Sequence, residues 1–281
     1  MILLTGITGK TGGATANALL EKGVKFRALV RDPAKAADYV AKDVEIVQGD
    51  LGDPASVEAA LKGCDKAVLI LPNSKEQEKL EIAFINAAAK SGIKHFVKLS
   101  SPEAVRGTTS PIPLAHIAAE DTLMESGMDW TIVRPNFYIQ NVIGYGAAAK
   151  ETGKISLPMG KGTAALTDCN DAGAFIAKVL TTDGHLSKSY DFSGPELLNF
   201  DQIAQCFGEV LGRDVVYEDC DPAEYHKAIR PFLTSDWHSD AIARLFAEIA
   251  DGTTPGEVND TFQKVVGREP ISFTEFLRQH L

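Results

Sequence analysis

A glycine-rich segment follows the first apolar run of the chain, and its spacing indicates binding of a pyrophosphate. Residues 5–12 read Thr-Gly-Ile-Thr-Gly-Lys-Thr-Gly, the pattern G-x-x-G-x-x-G between a predicted strand and a predicted helix. In such a turn the backbone N–H groups approach the phosphates, and the helix presents its positive N-terminus to them. A tight turn without a ligand is the alternative, but the regular alternation of elements that follows favours a dinucleotide. The candidate binding residues are Gly6, Thr8, Gly9, Lys10, Thr11 and Gly12.

A basic residue at the end of the second predicted strand favours a phosphorylated ribose. Arg31 lies where NAD-specific proteins usually carry a carboxylate, and a guanidinium can pair bidentately with a 2′-phosphate. Lys35 adds a second charge one helical turn further on. Asp32 is the alternative reader of the ribose, although its position before Pro33 favours capping of the next turn. We therefore expect the chain to bind NADPH or NADP⁺ in preference to NAD. The alternative interpretation of Arg31 is a solvated charge at the end of a strand.

The elements that must position these residues alternate between strand and helix, as in a doubly wound parallel sheet. Glycines at 23, 63, 92 and 127 lie where helix-terminating glycines belong. The predicted strands are Ile2–Thr5, Phe26–Arg31, Val44–Gln48, Ala67–Leu71, Phe96–Ser100 and Trp130–Arg134. The predicted helices between them are Gly12–Lys22, Pro54–Lys62, Lys75–Ser91 and Leu114–Ser126.

After Pro135 the regular alternation of strands and helices stops, which predicts that a Rossmann-like domain is followed in the sequence by a smaller mixed α/β C-terminal lobe. We predict a nucleotide-binding domain over residues 1–140 and a substrate-binding lobe over residues 141–281. Because no low-complexity linker separates them, they should pack tightly and be partly interleaved. The predicted elements of the lobe are a helix at Asp171–Leu180, a strand at Ser189–Phe192 and helices at Phe200–Leu211, Pro222–Phe232, Ser239–Asp251 and Phe273–Gln279.

Composition narrows the class of ligand. The 281 residues carry 38 acidic and 28 basic side chains, a net charge of -10, which argues against direct binding to nucleic acid or an anionic membrane. Four scattered cysteines and six histidines show no metal-ligand spacing and no disulfide framework, so no metal is expected. The acidic charge balance instead favours a small-molecule partner. Without a basic leader or a long apolar run, the chain is expected to be cytoplasmic, and a homodimer is possible.

Further motifs resemble a known family. The glycine spacing resembles the short-chain dehydrogenase/reductase superfamily. Pro113–His116 with Glu120, the run Arg134–Tyr138 and the terminal motifs Val258–Phe262 and Val266–Pro270 resemble NmrA-like atypical members. The resemblance runs the length of the chain and favours the branch of NADPH-dependent quinone oxidoreductases and triphenylmethane reductases.

This resemblance implies roles for residues at the other strand ends. Asp50 and Leu51 are expected to hold the adenine, and Leu71, Pro72 and Asn73 to line the path from the pyrophosphate to the nicotinamide ribose. Residues after the sixth strand are expected to border the nicotinamide, namely Pro135, Asn136, Phe137 and Tyr138. Asn141, Phe232 and Trp237 are the candidate substrate residues, with satellite core packing as the alternative for the two aromatic side chains.

The usual catalytic pair of the superfamily, Tyr-x-x-x-Lys, is absent, because Ile112 and His116 stand at its two positions. His116 has three interpretations: a hydrogen bond to the nicotinamide ribose, donation of a proton to the substrate, or structural packing. Ser100 is a candidate for facing the substrate, with a turn hydroxyl as the alternative, and Tyr138 is a candidate source of a phenol.

Two functions agree with these residues. The first is an NADPH-dependent reductase that passes hydride to a conjugated electrophile such as a quinone, dye, imine or enone, which needs mainly proximity and water. The second is a non-catalytic NAD(P)-binding redox sensor of the NmrA type. The aromatic residues of the second half and the lack of an appended interaction segment favour the enzyme.

Overall fold

The computed structural model describes residues 1–233, 235–253 and 256–281. The chain forms two compact units, and each is assembled from three separate segments. The first unit contains Met1–Ser101, Ala115–Arg134 and Cys169–Tyr190, and the second contains Pro102–Leu114, Pro135–Asp168 and Asp191–Leu281. The predicted domain boundary at residue 140 and the tight packing of two lobes stay predictions.

Strands and helices are numbered here along the chain. The strands are β1 (Ile2–Thr5), β2 (Phe26–Val30), β3 (Glu45–Gln48), β4 (Lys66–Leu69), β5 (His95–Leu99), β6 (Asp129–Pro135), β7 (Lys154–Leu157), β8 (Thr163–Ala164), β9 (Lys188–Phe192), β10 (Leu198–Asn199) and β11 (Val216–Asp219). The helices are α1 (Lys10–Glu21), α2 (Ala37–Val40), α3 (Pro54–Leu61), α4 (Gln77–Lys90), α5 (Pro111–Glu125), α6 (Ile139–Val142), α7 (Gly146–Thr152), α8 (Cys169–Thr181), α9 (Phe200–Leu211), α10 (Pro222–Ile229), α11 (Asp236–Ala250), α12 (Thr261–Val266) and α13 (Phe273–His280).

The main sheet has seven strands in the order β3-β2-β1-β4-β5-β6-β9. The ladders that join β1 to β6 are all parallel, with Leu3 opposite Arg27 and Ala67 in the central register. This order, with its reversal between β1 and β4, is that of a doubly wound α/β sheet, whose ligands bind outside the carboxyl ends of the strands. The predicted Rossmann-like fold class is confirmed.

Both faces of the sheet are covered, as its apolar strands require. Leu3 belongs to an apolar cluster that joins the strands to α3, α4 and α5, and its neighbour Leu4, on the opposite face, is equally buried. Helices α1 and α8 pack against each other so closely that a Cβ on Gly173 would lie 2.5 Å from the backbone of Ala14. The backbone of α1 is therefore held directly by α8.

The second unit has its own core. Aromatic pairs such as Phe137 with Phe246 and Phe207 with Phe273 form its centre. Two small sheets accompany it, an antiparallel pair of β8 with β10 and a parallel pair of β7 with β11. A capping box between Asn199 and Gln202 starts α9. Among the described residues no helix is both long and apolar enough to span a membrane.

Predicted and observed elements agree closely in the first half. The glycines at 23, 63, 92 and 127 all have positive φ angles, as helix-terminating glycines require. The predicted helix Pro222–Phe232 is wrong in extent: α10 ends at Ile229, and a 3₁₀ turn over Arg230–Phe232 follows because Pro231 has no N–H to continue the helix. The strands β7, β8, β10 and β11 were not predicted.

Candidate functional site

The glycine turn after β1 is built by backbone contacts that exclude side chains. Gly6 has a φ of +71°, and a Cβ there would lie 2.6 Å from the carbonyl oxygen of Ile70. A Cβ on Gly12 would lie only 2.0 Å from the oxygen of Gly6. The hydroxyl of Thr5 accepts from the N–H of Ile70 at 2.8 Å, which ties the turn to the end of β4. Gly12 thus allows the close approach of helix and strand that its position predicts.

Helix α1 begins with backbone donors for which the described part of the chain provides no backbone acceptor. Its N-cap is Gly9, so no side chain caps it, and its first turn holds no acidic residue. The backbone N–H groups of Lys10, Thr11 and Gly12 have no backbone acceptor among the described residues. Free N–H groups and the positive end of a twelve-residue helix suit a phosphate or pyrophosphate. The residues present therefore fit a dinucleotide.

The carboxyl ends of β2 and β3 bring a cation and an anion together. Arg31 is 79% exposed, and its Nε lies 4.0 Å from a carboxylate oxygen of Asp50. Asp32 accepts a hydrogen bond from the N–H of Ala34 at 3.1 Å and caps the 3₁₀ turn at Pro33–Ala36, as predicted. Lys35, within that turn, is exposed. The two basic side chains are thus open to solvent for an anionic ligand.

The other candidates at these strand ends are partly open. Asp50 accepts from the N–H of Gly52 at 2.7 Å, which shapes the turn after β3. Leu51 and Leu71 are partly buried and pack against the apolar cluster of the first unit. Pro72 is exposed and Asn73 is half-buried, both in the irregular segment that precedes α4.

Ser100 directly follows β5 and belongs to a buried polar group with Glu120 and Arg134. Its hydroxyl donates to a carboxylate oxygen of Glu120, and the Arg134 guanidinium pairs with both oxygens of that carboxylate, through Nε at 2.9 Å and through Nη2. Because the Ser100 proton is committed to Glu120, the Ser100 oxygen retains only acceptor capacity toward a ligand. Ser100 and His116 are held by different partners.

His116 lies in a second buried polar group. Its Nδ1 is 3.0 Å from the ammonium of Lys98, and the amide nitrogen of Gln77 is 3.4 Å from its Nε2. Burial, followed by the charges of Lys98 and Arg134, holds the pKa of His116 well below its ordinary value. The imidazole is therefore neutral at physiological pH, which weighs against its role as the cationic proton donor.

The candidates after β6 lie in the second unit and are partly structural. The side-chain oxygen of Asn136 accepts from the backbone of Phe137 at 2.8 Å and of Ala165 at 3.1 Å. Phe137 packs in the core against Phe246, and Tyr138 forms a parallel β-bridge with Thr167. Asn136 and Phe137 border a small cavity, which is lined by Pro102, Glu103, Asn136, Phe137, Thr163, Ala164, Ile249 and Gly256. Pro135 is buried at the end of β6.

The predicted substrate residues differ widely in exposure. Phe232 is 86% exposed and Asn141 is also exposed, so neither belongs to a core. Trp237 is partly buried in the first turn of α11 beside His238, with ring centroids 6.3 Å apart. No contact among these three residues is described, so their grouping stays a prediction.

Two buried charged groups lie outside the predicted set. Lys98 and Glu81 form an ion pair of 2.8 Å with side chains 0% and 1% exposed. In the second unit, Glu248 accepts from the hydroxyl of Thr108 at 2.7 Å and from the backbone of Thr109 at 2.6 Å and of Ser110 at 3.0 Å. The sequence alone could have indicated that Lys98 is paired, because a lysine inside a strand buried on both faces requires a buried partner.

Known proteins similar to this chain share its length and its fold. A profile described as NAD(P)H-binding matches residues 6–182. The NAD(P)H azoreductase of Xenophilus azovorans is 34% identical over 282 positions, 100% of this chain and 98% of that protein.

Two solved structures agree over the whole chain. An NADPH-dependent quinone oxidoreductase of Escherichia coli, complexed with NADPH, superimposes with a TM-score of 0.91 and 28% identity over 99% of both chains. The triphenylmethane reductase of Citrobacter sp., complexed with NADP(H), gives 0.90 and 25% over 100% of this chain and 99% of the other. The resemblance predicted from the sequence is confirmed.

Proposed function

Because this chain belongs to the NAD(P)H-binding family, we propose that it is an NADPH-dependent reductase that transfers hydride to a conjugated electrophile such as a quinone, dye, imine or enone. The observation that carries the proposal is the uncapped N-terminus of α1 behind a turn in which Gly6 and Gly12 exclude side chains. Such a turn leaves room and donors for a pyrophosphate. The relatives named for azo, quinone and triphenylmethane reduction support the class of acceptor.

The proposed cofactor site follows the carboxyl edge of the sheet. Arg31 and Lys35 bind the 2′-phosphate of the adenosine ribose, since both are exposed cations after β2. Asp50 and Leu51 face the adenine. Leu71, Pro72, Asn73 and Ser100 follow the path toward the nicotinamide, and His116, Pro135, Asn136, Phe137 and Tyr138 border its ribose and ring.

The protein side of the chemistry is simple. When bound, NADPH supplies the hydride from its nicotinamide C4. Ile112 offers no phenol, and the neutral imidazole of His116 holds no excess proton at physiological pH. The chain therefore positions donor and acceptor and leaves protonation to water or to Tyr138, which suits an acceptor that is already strongly electrophilic. Asn141, Phe232 and Trp237 are the proposed acceptor contacts.

The test is NADPH oxidation against a panel of quinones, azo and triphenylmethane dyes, imines and enones, with calorimetric binding of NADPH, NADP⁺ and NADH to the same preparation. We expect NADPH to bind more tightly than NADH and at least one flat conjugated acceptor to be reduced. Tight binding of NADPH without turnover of any acceptor would contradict the reductase and support the regulatory alternative.

A further inference from the structure

A fully buried ion pair lies against the imidazole of His116. Lys98 is the next-to-last residue of β5 and Glu81 is on α4, and their 2.8 Å contact is shielded from solvent on all sides. Burying two charges costs several kcal/mol per ion before their attraction and hydrogen bonds are counted. A stable core does not require this arrangement, because apolar residues of similar volume often stabilise such a site as well or better.

The ammonium of Lys98 has three polar neighbours: an ion-pair partner, Glu81, and two hydrogen-bond acceptors, on Leu99 and His116. Its Nζ lies 2.8 Å from Glu81 Oε2, 3.1 Å from the carbonyl oxygen of Leu99 and 3.0 Å from His116 Nδ1. An ammonium only donates, so Nδ1 of His116 must accept. A neutral imidazole that accepts at Nδ1 carries its single proton on Nε2. Lys98 thereby selects one of the two tautomers of His116.

The Nε2–H bond of that tautomer does not point at Gln77. The amide nitrogen of Gln77 is 3.5 Å from Nδ1 and 3.4 Å from Nε2, so it lies almost equally far from both ring nitrogens and off the axis of the Nε2–H bond. This same amide is within 3.3 Å of Glu81 Oε1, an acceptor that orients it as a donor. The imidazole proton is therefore left for a partner outside this group.

We propose that Lys98 is a positioning residue that acts through His116: it fixes the imidazole as the Nε2–H tautomer, so that His116 donates a hydrogen bond to a hydroxyl oxygen of the bound nicotinamide nucleotide. Glu81 holds the ammonium in place. This inference rests on the proposed function, because it requires a dinucleotide at the sheet edge where β5 ends.

The alternative tautomer is what the remaining charges would produce without Lys98. The charged groups around the ring are Lys98 on β5, Glu81 on α4 and Arg134 on β6. With Lys98 replaced, the Glu81 carboxylate, 3.9 Å from Nδ1, attracts a proton to that nitrogen. The ring would then present an unprotonated Nε2, which cannot donate to a hydroxyl oxygen.

The first measurement is ¹⁵N NMR of protein labelled at its histidine ring nitrogens, with the His116 signals assigned by their loss in His116→Gln. Without cofactor, wild type should show a protonated Nε2 and an unprotonated Nδ1 for His116, and the Nε2–H signal should shift when NADP⁺ is added. In Lys98→Met the proton should appear on Nδ1. A wild-type ring protonated on Nδ1, or a His116 signal that NADP⁺ leaves in place, overturns the proposal without any need for a variant that folds.

The second measurement is calorimetric binding of NADPH. Lys98→Met should weaken affinity about tenfold, the loss of roughly one hydrogen bond. Lys94→Met, which removes an exposed lysine just before β5, is the matched control and should bind as wild type does. The double variant Lys98→Met/Glu81→Met leaves no unpaired buried charge, and it should also bind weakly if Lys98→Met alone fails to fold.

A donor at the position of Nε2 should restore binding. Among His116 variants, Gln keeps an N–H near that position and should bind NADPH more tightly than Leu. Unchanged affinity in both Lys98 variants, or equal affinity in the Gln and Leu variants, contradicts the positioning role even if wild type reduces its acceptors. If wild type reduces no acceptor, the proposed reductase activity is contradicted. The NADPH affinities of the Lys98 and His116 variants would still test the positioning role of Lys98.

Discussion

The three glycines of the motif, Gly6, Gly9 and Gly12, differ in the space that each leaves for a side chain. Gly6 needs a positive φ, and Gly12 has no space for a Cβ beside the oxygen of Gly6. Gly9 has an extended backbone, with φ -93° and ψ 172°, and a Cβ there would lie 3.3 Å from the same oxygen. Only Gly9 can therefore be substituted to block a ligand without rebuilding the turn.

Gly9→Val should abolish binding of NADPH while the protein stays folded. The added side chain would lie at the N-cap of α1, where the backbone must approach a pyrophosphate. Calorimetry measures the binding, and thermal unfolding measures the fold. Gly12→Ala is the contrasting variant, which should lower the melting temperature because its Cβ has no room. A folded Gly9→Val that binds NADPH as tightly as wild type would mean that the segment is only a turn.

Arg31→Ala should reduce the preference for NADPH over NADH by roughly tenfold. The exposed guanidinium is screened by solvent, so its pair with a 2′-phosphate is expected to contribute about 1.5 kcal/mol, near the lower end for a charged hydrogen bond. Lys25→Ala removes an equally exposed cation and should leave the preference unchanged. If Arg31→Ala keeps the preference, or wild type prefers NADH, another residue reads the ribose.

Spacing alone predicted the residues at strand ends, because the carboxyl ends of parallel strands converge on one edge. It predicted that Asp32 caps the next turn, since an Asx turn needs only neighbouring residues. It did not predict the partners of Lys98, which come from α4 and α5 and depend on how helices dock on the sheet. The binding roles of the strand-end residues stay predictions.

At the scale of elements, the repeated strand–helix units of the first half made its strands and helices predictable. The second half lacks such a repeat, and its short strands could not be predicted. Each helix that ends in glycine has its own local stop, so the strands between such stops follow from the sequence. The pair of β8 and β10 has two residues in each strand, too few for any alternation to be recognised. Their pairing depends on contacts distant in the chain.

A single carboxylate accepts most of the hydrogen bonds of one contact between elements in the second unit. Glu248 of α11 accepts several hydrogen bonds from residues 108–110, the segment that leads into α5. Burial by itself raises the pKa of Glu248, but the hydrogen bonds from Thr108, Thr109 and Ser110 outweigh burial and lower the pKa below its ordinary value. The charged form is therefore the one that joins α11 to this segment.

Glu248→Gln should lower the free energy of unfolding by about 2–3 kcal/mol at neutral pH, because an amide can accept fewer of these hydrogen bonds. A carboxyl with a lowered folded-state pKa stabilises above its unfolded-state pKa and loses this contribution as pH falls through the folded-state value. Wild type and variant should therefore converge in urea unfolding as the solution becomes acidic.

Glu58→Gln is the control for Glu248→Gln, since it removes an exposed carboxylate from α3. Its stability should follow that of wild type within about 0.5 kcal/mol. A constant difference between wild type and Glu248→Gln from neutral to acidic pH would show that the amide disturbs packing and that ionisation of Glu248 contributes nothing.

At the scale of the whole molecule, neither compact unit is a continuous piece of chain. The first unit draws its last segment from Cys169–Tyr190, after residues that belong to the second. That segment supplies α8, against which α1 packs without intervening side chains at Gly173, and most of β9 beside β6. The glycine turn at the start of α1 is therefore supported by residues more than 150 positions away in the sequence.

A fragment of residues 1–134 should fail to fold cooperatively and should not bind NADPH, although it contains the glycine turn, Arg31 and Asp50. It lacks α8, and it exposes the apolar face of α1 and the open edge of β6. Urea unfolding followed by circular dichroism and calorimetric titration with NADPH check this, with the whole chain as reference. A cooperative transition together with NADPH binding would show that α8 and β9 are dispensable.

Because the first unit is assembled from three segments of the chain, its sheet cannot be completed until the last segment has been synthesised. Strand β6 ends at Pro135 and β9 begins at Lys188, so 52 residues must be made between them. At about 5–20 residues per second, the edge of β6 waits roughly 3–10 s for its neighbour, far longer than the microseconds in which a hairpin forms. A nascent chain in this interval has an unpaired strand edge, which makes folding intermediates prone to aggregation, and slow codons between these two strands would lengthen that exposure.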